Sequence, residues 1–129
     1  MAEVEKIIAV GEKVQLRQLR PAVLGETVTF EIWNGKQMAG MISLTPEKYA
    51  PKKAQVGYFV GEDFRRRGYA TEALELLTGL AFARLGYEIL WAEVNELNPG
   101  SMGVLERGGF VKRERYNGQV RFELSRPGV

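Results

Sequence analysis

Cysteine and histidine are both absent from the 129 residues, and each absence removes a class of chemistry. Without cysteine there is no disulfide framework and no thiol nucleophile. Without histidine there is no Ser–His–Asp triad, and with neither residue a zinc site built on His or Cys ligands is excluded, so no metal is expected. Long apolar runs are also missing. The opening MAEVEKIIAVGEK carries Glu3, Glu5 and Glu12 and reads as neither a signal peptide nor a membrane span. The expected compartment is therefore the cytoplasm, with no membrane partner. A net charge of only +2, with basic and acidic residues interspersed, gives no footprint for a nucleic-acid partner.

What is present is ordinary for a globular chain: 45% apolar and 26% charged residues. No repeat, low-complexity tract or long linker divides it, so residues 1–129 are expected to form a single domain. Ile7–Val10, Gly11 and Lys13–Leu19 read as one strand, with Val14 and Leu16 two apart as a pleat requires. Thr27–Trp33 is β-branched and aromatic, Asn34–Gly35 signals a hairpin turn, and Lys36–Leu44 returns, with Pro46 in the loop beyond. Gln55–Val60 is a further strand, in which Gly57 marks either a bulge or close backbone approach, or a simple kink.

A helix follows, because Ala70, Leu74, Leu77, Ala81 and Leu85 recur at helical spacing and Gly86 can cap its end. Ile89–Val94 reads as a strand. Asn98–Ser101 opens a short helix ending near Arg107, stopped by Gly108–Gly109. Lys112–Tyr116 and Val120–Ser125 flank Asn117–Gly118, a second hairpin. The expected class is mixed α/β with a central β–α–β unit.

Between the strand Gln55–Val60 and the long helix lies EDFRRRGYATEAL. Helix N-termini present unpaired N–H groups and the positive end of a dipole, which together attract anions. Gly68 and Ala70 leave the backbone accessible, and Arg65, Arg66 and Arg67 raise the local potential. A pyrophosphate would suit this turn; so would plain solvent around a basic loop. Neither a P-loop nor a dinucleotide fingerprint is present.

Set between a strand and a long helix, R-x-x-G-x-A resembles the acyl-CoA-binding motif of the GNAT N-acetyltransferase superfamily, Q/R-x-x-G-x-G/A. The stretch from Asn98 to Phe110 (NPGSMGVLERGGF) resembles the N-x-x-S…LEKxGF segment of the branch that acetylates ribosomal-protein N-termini. IIAVGEKVQLRQLRP and YATEAL…AFARLGYEILWAEV are similar to that branch's first strand and to its central helix and fifth strand. The resemblance implies a GNAT-like fold, a mostly antiparallel twisted sheet with its N-terminal half shortened. It implies acetyl-CoA as cosubstrate and direct attack by a primary amine, either a peptide N-terminus or a small amine, in a ternary complex.

The same resemblance implies residue roles. The backbone of Phe59 and Val60 would follow the pantetheine arm, and Arg65, Arg66, Arg67, Gly68, Tyr69, Ala70 and Thr71 would hold the pyrophosphate. Asn98 and Ser101 would lie across the cleft beside the sulfur. Many members place a tyrosine general acid where this chain has Leu105, which passes that role to Ser101, another group or water. Gln55 stands where a glutamate is frequent, which leaves Glu93 as candidate base or as a plain surface carboxylate. Trp33 and Trp91 read as packing, and Glu72 as a helix-dipole partner. Tyr116 either touches substrate or covers an edge.

One departure is large. The family's helical segment after the first strand is replaced by Pro21–Glu26. The acceptor side is then expected to be open, or covered by a second copy in a homodimer. A non-catalytic acyl-CoA-binding module is the alternative to an enzyme.

Overall fold

The computed structural model describes residues 6–18 and 25–129. The expectations for Leu19 and for most of Pro21–Glu26 lie outside them. Among the described residues, eight strands form one sheet: β1 (Lys6–Val10), β2 (Gln15–Gln18), β3 (Val28–Trp33), β4 (Met38–Pro46), β5 (Lys53–Val60), β6 (Ile89–Asn95), β7 (Val111–Tyr116) and β8 (Gln119–Ser125). Their spatial order is β1-β2-β3-β4-β5-β6-β8-β7. Two helices join them, α1 (Tyr69–Ala83) between β5 and β6 and α2 (Pro99–Arg107) between β6 and β7. Every pairing is antiparallel except β5 with β6, the two strands that α1 bridges. The mixed, mostly antiparallel sheet that the resemblance implies is the one observed.

The expected first strand is two. Residues 11–14 turn the chain back, closed by the Gly11 N–H donating to the Val14 carbonyl at 2.8 Å, and β1 lies antiparallel to β2. Alternation alone does not reveal this turn. The Glu72 carboxylate packs against Gly11, where a β-carbon would lie 1.9 Å from Oε1, so the glycine is needed for contact with α1.

At the first hairpin, Asn34 closes a wider loop than the two-residue turn expected. Its Oδ1 accepts from the Gln37 N–H at 3.0 Å, and β4 starts only at Met38 and runs on through Pro46. The second hairpin forms as expected, with Asn117 and Gly118 both at positive φ.

Alternation sorts the sheet into two faces. Leu16, Phe30, Ile32, Ile42, Leu44, Val56, Leu90 and Phe122 point to one side and are buried there with Ala73, Leu74, Leu77 and Ala81 of α1. Leu105 of α2 and Phe110 close the same core. Leu85, the last position of the expected stripe, lies past the end of α1 and is exposed. On the other side of the sheet no helix packs among the described residues. That face carries Arg17 over the Trp33 ring at 4.2 Å and Arg121 over the Trp91 ring at 4.0 Å. The two tryptophans are therefore surface packing on a sheet face, as expected. No helix of the described residues is long and apolar enough to cross a membrane.

Candidate functional site

The pairing of β5 with β6 lasts only from Lys53↔Ile89 to Gln55↔Trp91. Beyond Gln55 the strands part: β5 stays with β4, and β6 stays with β8. Parallel strands that diverge at their C-terminal ends leave a crevice, the usual place for a ligand in an α/β sheet. Here the N-termini of α1 and α2 both border it.

Gly40 lets β4 lie close against the end of β5 there. A β-carbon on Gly40 would lie 2.1 Å from the Phe59 carbonyl oxygen, so only glycine allows the two backbones to approach this closely. Gly57, the glycine that the sequence singles out, pairs regularly with Ser43 and makes no bulge. No bulge is seen at Gly57, and the close backbone approach belongs to Gly40.

After Val60 the chain makes one 3₁₀ turn, Glu62–Phe64, and then a tight bend. The Arg65 Nε donates to the Val60 carbonyl at 3.0 Å, tying the bend to the end of β5. Arg66 adopts φ 63° and Gly68 φ 79°, the left-handed region that costs a non-glycine residue energy. Gly68 is the N-cap of α1 and offers no side chain to its first-turn N–H groups.

Across the crevice, Asn98 caps α2, its Oδ1 accepting from the Ser101 N–H at 3.1 Å. Pro99 at the first helical position removes one of that turn's donors.

These elements enclose a cavity of about 450 Å³. Of the residues implied by the resemblance, Phe59, Val60, Arg65, Arg66, Gly68, Tyr69, Ala70, Thr71, Asn98 and Ser101 line it. Two do not. The Arg67 guanidinium instead lies 6.0 Å from the Phe64 ring centroid. Glu93 is exposed on the helix-free face of β6, opposite Arg121 of β8.

Leu105 is fully buried beneath α2 and presents nothing to the cavity. Among the described residues the lining holds no carboxylate. Its electrostatics come from Arg65, Arg66 and Arg107 together with the helix N-terminus, an environment suited to an elongated anion.

Three features escape the sequence reading. Tyr58 of β5 reaches the cavity, and its hydroxyl lies 2.7 Å from the Ser101 Oγ and 3.2 Å from the Ser101 carbonyl oxygen. Burial raises the Tyr58 phenol above its ordinary value, while the hydrogen bond to Ser101 and the Arg107 charge oppose that shift. Lys13, on the β1–β2 turn, brings its Nζ to 2.7 Å from where a β-carbon on Gly68 would lie. Glu72 is more than a dipole partner: its Oε1 accepts from the Lys13 and Val14 N–H groups at 2.8 and 2.9 Å, which fastens that turn to α1. Each of the three depends on a contact between distant parts of the chain. Only the short spacing from Tyr58 to Phe59 and Val60 gave any hint in the sequence.

An eight-stranded sheet split at its one parallel pair, with a helix N-terminus facing the split, is the architecture of acetyltransferase structures. The crystal structure of a probable acetyltransferase superimposes with a TM-score of 0.69 at 25% identity, over 78% of this chain and 62% of that one. Mycobacterium smegmatis RimJ in complex with CoA-disulfide superimposes with a TM-score of 0.71 at 21% identity, over 78% of this chain and 54% of that one. The probable N-acetyltransferase YjcK of Bacillus subtilis (strain 168) is 40% identical over 63 residues, 49% of this chain and 35% of that protein. The matches thus span between 35% and 62% of the length of these relatives. The acetyltransferase (GNAT) domain model matches residues 8–111, and the chain belongs to that family.

Proposed function

We propose that this chain is an acetyl-CoA-dependent N-acetyltransferase that acetylates a primary amine, with a peptide N-terminus as the favoured acceptor. The observation that carries the reading is the cavity itself: one space, opened where β5 leaves β6, bordered by the glycine-capped N-terminus of α1 and by Ser101. Acetyl-CoA supplies an activated acetyl thioester. The residues present fit such a ligand, because its negative phosphates find three arginines and the first-turn N–H groups of α1.

In this reading the bend Arg65–Thr71 holds the pyrophosphate and the backbone of Phe59 and Val60 follows the pantetheine arm. Arg67 contributes charge from outside the cavity. Ser101 offers a hydroxyl toward the sulfur, and the N–H groups at the end of β5 favour the charge that develops on the acetyl oxygen. The amine attacks directly, which needs no nucleophile from a chain without cysteine or histidine. Glu93 serves as base through water for an acceptor arriving on the helix-free face. An α-amine with a pKa near 8 is already partly neutral at physiological pH and needs little help.

A second reading, an acyl-CoA-binding module without turnover, is favoured by one observation: among the described residues the cavity lining holds no carboxylate. Acetylation of a peptide panel above the uncatalysed rate supports the enzyme. Saturable acetyl-CoA binding with no turnover on any peptide or small amine supports the module.

The same proposal includes a second copy of the chain on the helix-free face, where Met41 and Phe59 stand side by side and exposed. Light scattering after size exclusion is expected to give a dimer mass. A monomer at high micromolar concentration overturns that part.

A further inference from the structure

The departing thiolate is where an acetyl transfer most needs a hydrogen-bond donor. Asn98 commits its side-chain oxygen to the α2 cap but keeps its amide N–H groups, and Arg65, Arg66 and Arg107 are donors whose charge suits the phosphates. Of the hydroxyls that line the cavity, those of Tyr69 and Thr71 belong to the first turn of α1, whereas Tyr58 on β5 and Ser101 on α2 are in contact with each other.

A serine hydroxyl rotates freely and has one proton to give. With Tyr58 beside it, two arrangements satisfy both groups. In the first, Tyr58 donates to the Ser101 carbonyl oxygen at 3.2 Å and the Ser101 hydroxyl donates to Tyr58. In the second, Tyr58 donates to Ser101 Oγ at 2.7 Å, and the Ser101 proton is turned out into the cavity. A negative sulfur in the cavity favours the second arrangement, because it gains a donor that Tyr58 has already polarised.

We propose that Tyr58 is a positioning residue that aims the Ser101 hydroxyl at the sulfur of bound CoA, so that the two hydroxyls act as one donor. The inference rests on the acetyl-CoA reading. As the acceptor nitrogen bonds to the acetyl carbon and the C–S bond breaks, the sulfur keeps the bonding electron pair and Ser101 holds it by a hydrogen bond. The proton that finally neutralises the sulfur is the one released by the acceptor nitrogen, passed through solvent. Neither hydroxyl loses its proton, and the raised phenol keeps Tyr58 a donor throughout the working range.

The test uses the free thiol form of CoA and needs no turnover. Thiolate absorbance in the ultraviolet gives the thiol pKa of CoA bound to the wild type, to Tyr58→Phe, to Ser101→Ala and to the double variant. A donor aimed at the sulfur stabilises the thiolate, so the wild type is expected to hold that pKa below its value for either single variant, by on the order of one unit. Tyr58→Phe keeps the ring in place, and CoA affinity at pH 7 should change by less than about threefold. Because the two hydroxyls act as one, the double variant should match Ser101→Ala alone. An unchanged thiol pKa in Tyr58→Phe overturns the inference, as does a double variant that shifts by the sum of the singles. Should the wild type fail to bind CoA at all, the acetyl-CoA reading falls and takes this inference with it. A Tyr58→Phe chain that does not fold passes the decision to Ser101→Ala, whose bound thiol pKa must then rise.

Discussion

The two faces of the sheet follow different rules. One is sealed: Leu16, Phe30, Ile32 and Leu90 press against Leu74 and Leu77 of α1, and no polar side chain is buried among the described residues. The other has no helix over it among the described residues, and it carries cation–aromatic pairs such as Arg121 on Trp91. The cavity opens where the sealed side ends, at the fork between β5 and β6. One face therefore supplies the stability and the ligand crevice, and the other leaves room for whatever approaches from outside. β2 and β3 pair directly, and residues 25–27, the described part of their connection, contain no helix.

The largest effect should come from damage to the sealed face. Leu77→Ala removes a side chain with no exposure and is expected to cost about 2–5 kcal/mol in denaturant unfolding. Met41→Ala on the open face should change stability by less than about 0.5 kcal/mol at concentrations that keep the chain monomeric. Equal losses at both sites would end the distinction between the faces.

A smaller effect belongs to the strap between the β1–β2 turn and α1. Glu72→Ala leaves the Lys13 and Val14 N–H groups without their acceptor, one of them partly buried, and should cost about 1–2 kcal/mol. Glu72→Gln keeps an acceptor oxygen and should recover most of that loss. A charge-only role at the helix N-terminus predicts that the two variants behave alike.

The smallest effect concerns alkaline pH. Burial raises the phenols of Tyr58 and Tyr87 above their ordinary value near 10. Above about pH 10 the unfolded chain releases protons that the folded chain still holds, so their contribution to stability is complete below that pH and is lost as pH rises through the folded values. The decline in stability above pH 10 should therefore be shallower in Tyr58→Phe than in the wild type, and a parallel decline would show the burial to be inconsequential.

Most of the sealed face was legible in the sequence because its signals are local. The 3.6-residue spacing from Ala70 to Ala81 marked α1, and Asn117–Gly118 marked the last hairpin. The cavity was legible in outline for the same reason, since R-x-x-G-x-A and Asn98–Ser101 each sit on a helix start. What the sequence hid depends on contacts between distant segments. The β1–β2 turn is set by Gly11 meeting Glu72, 61 positions on, and the alternation of Ile8 and Val10 resumes in the same phase at Val14 and Leu16 beyond it. Gly40 looked like any strand glycine until the Phe59 carbonyl was seen against it. Tyr58 read as a strand residue, and only the fold shows its hydroxyl at Ser101.

The measurement that bears most directly on the account is a thermal-shift titration with acetyl-CoA, comparing the wild type with Gly68→Asp. An aspartate there would bring a negative charge to the mouth of the anion site and a side chain to a backbone at φ 79°. Ligand that binds only the folded chain at about 100 times its Kd should add roughly 2.7 kcal/mol of stability. The account predicts a saturable upward shift in the wild type and none in the variant, with the ligand-free melting curve of Gly68→Asp still cooperative. A wild type that does not respond to millimolar acetyl-CoA would contradict it, and the three arginines would then be no more than a basic turn at the start of a helix.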